Sequence, residues 1–440
     1  MKKLNGLFVI SLAFCLTAPA MGAAFRLRET NANALGYATA GEAAGAENKA
    51  PEQFANAATL GFMKKSSVAA SLTYLKTSAK FTVMDAKAPT SAGGRSLSGS
   101  NGGDGGGNFL IPAAYMAMKL KHHLTFGFGI TTPFGLRTDY DRTWVGKSRG
   151  IVSDLRVINF NPALAYRVNS FLSVGAGFNI QEAEAELSRN VDLSGGVPGA
   201  SADATVRGKS HGYGFNVGVL VAPTANTKIG LSWRSAITHE LKGDSQYSNR
   251  SNTFSDALLN NVKAPLHGQK AKARMTLPDI VILSGTWDVN SSWRLLGSVE
   301  WTRWSNLQEL RVTFPDSSAK DSVENFSYKD TFFYALGALY KVNKNWTLKM
   351  GTAYDITPTS LAHRSPRIPD ENRTWLSTGA DYRMNERLTL GLNYSYIYVR
   401  QTNIDLKTGS ANSDDVTKGT LRGHFKSDTH LVGAKLIYRW

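Results

Sequence analysis

The stretch LTLGLNYSYIYV, residues 388–399, decides the fold because its two alternating faces differ in chemistry. One face carries large apolar and aromatic side chains: Leu388, Leu390, Leu392, Tyr394, Tyr396 and Tyr398. The other face begins with small and polar side chains: Thr389, Gly391, Asn393 and Ser395. Side chains of a strand alternate between its faces, so the pattern predicts a strand with one apolar side that ends in tyrosines. A lipid-facing wall whose rim lies among headgroups typically has this pattern.

The amino terminus has the pattern of a secretory signal peptide. Two lysines precede an apolar run at residues 7–17, and small residues follow it. The run is too short to cross a bilayer, so we predict a signal peptide over residues 1–23, with cleavage after Ala23 or Ala24. The one cysteine, Cys15, falls inside it. The mature chain is therefore expected to contain no disulfide, thiolate metal site or thiol nucleophile.

Export and charge together narrow the class of protein. No run of about 18 apolar residues follows the signal, so a barrel is the expected way for this chain to cross a membrane. The 440 residues carry 50 Lys and Arg against 34 Asp and Glu, a formal net charge of +16. Because the chain is predicted to be exported, nucleic acid is not expected to be the partner of this excess positive charge. Lipopolysaccharide phosphates and anionic substrates are the acidic partners at a Gram-negative surface; alternatively, the charges simply solvate the loops.

Short turns and long loops alternate along the chain. Six short turns join alternating stretches: KLKHHL (119–124), RVNSF (167–171), APTANTK (222–228), DVNSSW (288–293), KVNKNW (341–346) and RMNERL (383–388). Seven long polar connections lie outside or between them: 78–108, 134–154, 187–212, 241–275, 305–329, 358–372 and 400–428. Six turns and seven loops predict an all-β fold, a transmembrane barrel of 14 antiparallel strands with both ends on the short-turn side.

One segment of the chain contains no alternating strand. Residues 35–62, LGYATAGEAAGAENKAPEQFANAATLGF, are rich in Ala and Gly. A barrel of this width has room for a plug in its lumen. We therefore predict a small helical amino-terminal hatch over residues 24–66 and the barrel over residues 67–440.

Five further stretches follow one another in a family-like order: FRLRETNANALGYATAGEAA (25–44), YGFNVGVL (213–220), LPDIVILSGTW (277–287), EWTRWSNLQEL (300–310) and RSPRIPDENRTWLSTGADY (364–382). In them the chain resembles the FadL family, outer-membrane transporters of long-chain fatty acids and other hydrophobic compounds. The resemblance implies a 14-stranded barrel with an amino-terminal hatch. It also implies ligand capture between extracellular loops, an apolar pocket in the barrel, and sideways exit through a gap beside a kink in the third strand.

The third strand is LTFGFGITTPFGL (124–136), in which Pro133 and Gly135 interrupt the alternation. Proline removes a ladder donor, so it occurs in strands where pairing has failed. Following the resemblance, the kink and lateral gap are expected at these residues: Gly129, Thr132, Pro133, Phe134 and Gly135. The alternative is that Pro133 simply ends the strand and begins a loop.

The resemblance also implies residues of the hatch and of the pocket. The hatch motif Asn-Pro-Ala of the family is matched by Asn56, Ala57 and Ala58, which lack the proline. The position that binds the ligand carboxylate falls on Arg189. Arg189 could instead pair with a glutamate of its own strand, Glu184 or Glu186.

A second basic position of the family pocket falls near Glu324, with Lys329 close by in the sequence. Positive charge is therefore not preserved at that position itself. We take Arg189 and Lys329 as the candidate ligand-binding residues.

The sequence thus predicts uptake of hydrophobic molecules, foremost long-chain fatty acids, across the Gram-negative outer membrane. Aromatic hydrocarbons or other lipids could use the same route, whereas a general porin would require an open lumen. The eight histidines are scattered and form no catalytic set, so we expect no enzyme, catalytic residue, metal or cofactor. The expected partners are the ligand, outer-membrane lipid, lipopolysaccharide and the barrel assembly machinery, with no nucleic acid and a monomeric state.

Overall fold

The computed structural model describes residues 23–89, 93–192, 201–248, 268–317, 321–407 and 418–440. It contains one sheet of 19 antiparallel strand segments, whose first and last segments pair with each other. The segments are β1 Ser67–Lys87, β2 Gly107–Lys119, β3 Leu124–Asp139, β4 Val152–Arg167, β5 Leu172–Asp192, β6 Ser201–Val221, β7 Thr227–Arg234, β8 Ile237–Ser248, β9 Lys270–Leu277, β10 Ile280–Asp288, β11 Trp293–Thr302, β12 Glu309–Thr313, β13 Ser322–Asn325, β14 Thr331–Lys341, β15 Trp346–Asp355, β16 Arg373–Arg383, β17 Leu388–Val399, β18 Thr402–Leu406 and β19 Thr420–Arg439.

Five pairs of consecutive segments each continue one wall strand: β7 with β8, β9 with β10, β11 with β12, β13 with β14, and β17 with β18. The wall is therefore a closed barrel of 14 antiparallel strands, which confirms the predicted fold. The strands extend further outward than predicted: β1 reaches Lys87 and β5 reaches Asp192. Among the described residues, no helix is both long and apolar enough to cross a bilayer.

The strand β17 shows why the wall faces lipid. Leu392 and Tyr398 are 61% and 54% exposed on the outer face, whereas Asn393 and Ser395 are buried in the lumen. The alternation predicted for LTLGLNYSYIYV is confirmed. Since a single side of each strand meets hydrocarbon, the lumen side is free to carry polar groups that bind the hatch.

Residues 23–63 lie inside the barrel and contain short helices, whereas Lys64 and Lys65, just before β1, are exposed; we call the segment inside the barrel the hatch. Helix α1 (Ala32–Leu35) is followed by three short 3-10 helices, Glu42–Ala44, Ala50–Phe54 and Ala57–Phe62. Helix α1 packs against β1, β16, β17 and β19, and the 3-10 helices pack against β1 to β7 and β10. The alanine-rich composition suits this position, because small side chains let the hatch backbone approach the wall closely.

Two wall glycines make this close approach possible. A Cβ added at Gly230 would overlap the main-chain carbonyl of Ala43, and one added at Gly175 would overlap the main chain of Ala57 and Ala58. In both cases the obstacle is backbone, which cannot turn aside as a side chain can. The hatch therefore fits the lumen because these wall positions lack side chains.

Charged side chains hold the hatch near the short-turn end of the barrel. This floor cluster consists of Glu47 and Lys49 of the hatch and Lys349, Asp381 and Lys435 of the wall. Nζ of Lys49 lies 2.7 Å from Asp381 Oδ2, Nζ of Lys435 lies 2.8 Å from the same oxygen, and Nζ of Lys349 lies 2.9 Å from Glu47 Oε2. All five side chains are almost fully buried. Because an unpaired buried charge is costly, the hatch and wall stabilise each other here.

We predict that Gly230→Ala and Gly175→Ala each displace the hatch, because the added methyl group overlaps hatch backbone at a cost of about 1–3 kcal/mol. Planar-bilayer recordings should show larger and more frequent openings than the unmodified barrel. Gly285→Ala is the matched control, since its Cβ would have no neighbour nearer than 3.9 Å. Unchanged conductance in folded Gly230→Ala barrels would show that the hatch does not block the lumen.

Candidate functional site

Strand β3 contains a bulge at the predicted kink. Thr131 pairs with Asn159, but the next pair is Phe134 with Val157, so two residues of β3 oppose one residue of β4. The strand then continues to Asp139 rather than ending at the proline. The residues assigned to the kink lie at the bulge or beside it: Gly129, Thr132, Pro133, Phe134 and Gly135. Their role in exit stays a prediction.

The neighbouring strand β2 separates from β3 at this level. Their last ladder pair is Ala114 with Ile130, and within the described residues the stretch 107–113 of β2 pairs with β1 alone. The wall is therefore interrupted between β2 and β3 on the outer side of the bulge. We call this interruption the lateral gap.

The first residues of the hatch bind the free edge of β3. The amide of Leu27 donates to the Pro133 carbonyl at 2.9 Å, and the amide of Gly135 donates to the Phe25 carbonyl at 3.0 Å. Segment 25–27 thus supplies hydrogen-bond partners that β2 does not provide. Unpaired backbone groups facing lipid would cost several kcal/mol each, so this segment stabilises the interrupted wall.

An apolar cluster lies directly inside the lateral gap. Its centre is aromatic: the rings of Phe25 and Trp304 are 4.9 Å apart, and both lie within 6.2 Å of the ring of Phe134. Tyr328 and Ile368 extend the cluster toward the extracellular loops. All five side chains are buried. We call this group the lumen cluster; it is the candidate site for an apolar ligand.

Buried ion pairs fix the hatch segment beside the lumen cluster. Nε of Arg26 lies 2.8 Å from Glu300 Oε1, and Arg28 bridges Glu300 and Asp355 at 3.1 and 3.0 Å. The four side chains are at most 7% exposed. Phe25 is thereby held in the lumen cluster beside the lateral gap.

The outer end of the lumen cluster is polar and charged. Glu324 of β13 accepts from Nζ of Lys418 at 2.8 Å and lies 3.9 Å from Nε of Arg367. Burial acts to raise the pKa of the Glu324 carboxyl, but the two cations outweigh burial and lower the pKa to about 2. Arg367 also donates to Ser153 Oγ at 3.0 Å and to the Ser188 carbonyl at 3.1 Å. Glu324, Arg367 and Lys418 form what we call the rim triad.

Of the two predicted ligand-binding residues, Arg189 lies near the rim triad at the outer end of the lumen. Arg189 stands opposite Ala204 near the outer end of β5. It is close enough to Arg367 that its charge adds to the effect of burial in lowering the pKa of Arg367. Glu184 and Glu186 pair with other cations among the described residues, so the alternative pairing of Arg189 with either is not observed.

Lys329, by contrast, is exposed on the connection before β14, where its amide donates to the Pro358 carbonyl. The rim triad instead brings Arg367 and Lys418 to Glu324. Sequence reasoning missed both cations. Arg367 lies within the quoted stretch RSPRIPDENRTW and could have been singled out, whereas nothing in the sequence around Lys418 relates it to residue 324.

The hatch motif contacts the wall through the side chain of Asn56, which bonds main-chain groups. Nδ2 of Asn56 donates to the Val219 carbonyl at 3.0 Å and to the Ala43 carbonyl at 2.8 Å, and its Oδ1 accepts from the Ala58 amide at 2.9 Å. Asn56 is thus the N-cap of helix Ala57–Phe62 without a following proline. In the described ranges, no three His, Cys, Asp or Glu side chains meet as metal ligands would.

Comparisons with known proteins agree over nearly the whole chain. The family model for outer membrane protein transport proteins (OMPP1/FadL/TodX) matches residues 13–440. The long-chain fatty acid transport protein of Escherichia coli (strain K12) is 28% identical over 424 residues, covering 89% of this chain and 91% of that protein. Outer membrane protein P1 of Haemophilus influenzae is 29% identical over an alignment of 474 positions that covers both chains completely.

A solved structure is also similar over nearly its full length. The crystal structure of a Pseudomonas aeruginosa FadL homologue matches with a TM-score of 0.85 at 26% identity, covering 94% of this chain and 99% of that one.

Proposed function

The chain belongs to the outer membrane transport protein family OMPP1/FadL/TodX, and from this premise we propose that it takes up long-chain fatty acids. Transport of hydrophobic compounds across the Gram-negative outer membrane follows from the family and the barrel. The Escherichia coli relative, named for long-chain fatty acids, supports the choice of substrate. One observation carries the proposal: a buried apolar cluster lies between cationic side chains at the mouth and an interruption of the wall.

The proposed route has three steps. A fatty acid is captured between the extracellular loops, its tail enters the lumen cluster, and it leaves sideways through the lateral gap into the hydrocarbon layer. An apolar tail that moves sideways never has to cross the aqueous periplasmic end of the lumen. The hatch disfavours a general porin because it fills that end. We further propose that the barrel acts as a monomer, inserted by the assembly machinery into a membrane whose outer leaflet is lipopolysaccharide.

Chain length tests the substrate class. Burial of one methylene group contributes roughly 0.8 kcal/mol, so affinity should rise roughly fourfold per methylene until the pocket is filled. Displacement of a fluorescent fatty acid by saturated acids of increasing length measures this directly. A flat series together with tight binding of a single-ring aromatic compound would contradict fatty acids and favour an aromatic hydrocarbon as substrate.

Headgroup recognition should depend in opposite ways on Arg189 and Glu324. Arg189→Ala should weaken fatty acids about tenfold and leave the matching alcohols unchanged, because a buried carboxylate needs a cationic partner. Glu324→Gln should strengthen fatty acids about tenfold, because the ligand carboxylate no longer competes with a protein carboxylate for Arg367 and Lys418. The same displacement assay, run with acid and alcohol pairs, measures both effects.

Glu309→Gln is the control for this pair, since Glu309 is exposed and bonds Arg311 on the outer surface. Equal changes for acid and alcohol would mean that Arg189 and Glu324 are structural. Because the pKa of Glu324 is about 2, its effect should not vary with pH in the neutral range.

Lateral exit should require the bulge in β3. Deleting Pro133 removes the extra residue, so that Thr132 alone lies opposite Ile158 and the ladder with β4 becomes regular. A straight β3 should let the free stretch of β2 pair with it and close the gap. Uptake of radiolabelled fatty acid by cells should then fall to background, while the barrel remains folded and heat-resistant on gels. Gly129→Arg, which places a charge beside Tyr115 on the lumen side of the gap, should also reduce uptake.

Pro133→Ala is the matched control, because it removes the proline and keeps the extra residue. It should retain most of the uptake. Normal uptake by the folded deletion variant would exclude the lateral route and point to exit by movement of the hatch around Asn56.

A further inference from the structure

A row of lysines crosses three adjacent strand segments on the outer face of the barrel. Lys209 of β6 stands directly opposite Lys242 of β8, which stands directly opposite Lys272 of β9. Two residues further along β9, Arg274 stands directly opposite Arg311 of β12. All five side chains are exposed. We call these residues the outer cationic row.

Nearby carboxylates balance only part of this row. Lys209 has a carboxylate 3.3 Å away, on Glu184, and Arg311 has two, on Glu309 at 2.8 Å and on Asp321 at 3.2 Å. Arg274 stands directly opposite Glu240 of β8, and Lys272 stands opposite Lys242. In the part of the chain that the structure describes, none of the side chains of Lys242, Lys272 and Arg274 has a carboxylate within 4.0 Å. Like charges directly opposite each other destabilise a sheet. An external anion that lay across the row would remove this repulsion.

The surface around the row is shaped to receive such an anion. A groove of about 560 Å³ runs between β8, β9 and the connection before β12. Lys242, Lys272, Arg274 and Arg311 line it, against two carboxylates, Glu240 and Glu309. The cations therefore outnumber the carboxylates on its walls.

The height of the row identifies the source of the anion. Tyr213 and Phe215, 62% and 48% exposed, mark the outer part of the lipid-facing surface of β6. Lys209 lies four residues closer to the extracellular end than Tyr213, roughly 13 Å along the strand. Phosphorylated sugar headgroups occupy the level just outside the hydrocarbon of a Gram-negative outer leaflet, with their acyl chains below.

We propose that the outer cationic row is a binding site for the phosphate groups of lipopolysaccharide. The sugar phosphates lie in the groove against Lys242, Lys272 and Arg274, and the acyl chains pack on the apolar surface below. This site lies on the outside of the wall and is separate from the transport lumen. A lipid that bridges β6, β8, β9 and β12 holds together the part of the wall that extends beyond the membrane.

The test compares two double variants of the purified full-length barrel in detergent. Lys242→Gln with Lys272→Gln removes the centre of the row, and Lys121→Gln with Lys344→Gln removes two exposed lysines from the short turns. The probes are lipid A with two phosphates, its form without phosphate, and inorganic phosphate. Binding is measured by native mass spectrometry and by the rise in unfolding temperature.

The row variant should bind lipid A about thirtyfold more weakly, since each lysine near an anionic headgroup contributes roughly fivefold. Its unfolding temperature without lipid should be equal or higher, because repulsion is relieved. The turn variant and Lys242→Arg with Lys272→Arg should bind like the unmodified barrel. Inorganic phosphate should compete weakly.

Several results would overturn the proposal. Equal lipid A binding by the row and turn variants would show that the row is merely solvated. A lower unfolding temperature of the row variant in lipid-free detergent would make the lysines structural. Binding of inorganic phosphate as tight as that of lipid A would show a simple anion site. Equal binding of lipid A with and without phosphate would exclude recognition of the headgroup charge.

Discussion

In a hydrocarbon layer every backbone N–H and C=O group needs a partner within the protein, and the closed ladder of this barrel meets that demand. The chain ends complete the ladder, because β1 pairs with β19 from Ser67 opposite Arg439 to Lys87 opposite Thr420. Closure divides each strand into a lipid face and a lumen face. The apolar and aromatic residues that point outward and the polar residues that hold the hatch are both consequences of that division.

The bulge in β3 is where the wall departs from this demand. Here β3 has one extra residue relative to β4, its pairing with β2 ends at Ile130, and the hatch segment 25–27 binds the edge that is left. The same segment carries Phe25 into the lumen cluster and is held by Arg26 and Arg28 on Glu300. Within the proposed route, a ligand that enters the lumen cluster contacts the hatch segment 25–27, which also pairs with the free edge of β3. Ligand binding and closure of the wall therefore involve the same few residues.

The architecture could be predicted from the sequence because it rests on local patterns. Alternation in β17, short turns and an alanine-rich amino terminus each predict one element without knowledge of the others. The rim triad could not be predicted, because Lys418 meets Glu324 across 94 positions of the chain. The outer ends of β1 and β5 were missed for another reason: beyond the membrane the outward-facing side chains are polar, such as Lys80 in β1 and Glu184 in β5, so the apolar lipid-facing side that marks a wall strand is missing.

The 50 basic and 34 acidic residues of the chain occupy two environments, the buried lumen and the exposed surface. Inside the lumen, Arg28 lies between Glu300 and Asp355, and Lys435 lies beside Asp381, because an unpaired buried charge costs several kcal/mol. Charges on the outer face, by contrast, can be reached by water and by external anions. Added salt affects the buried and the exposed charges differently. At about 0.15 M salt, interactions between exposed charges are screened beyond roughly 8 Å, whereas buried ion pairs are screened far less. Added salt should weaken lipid contacts of the outer cationic row while the hatch stays in place.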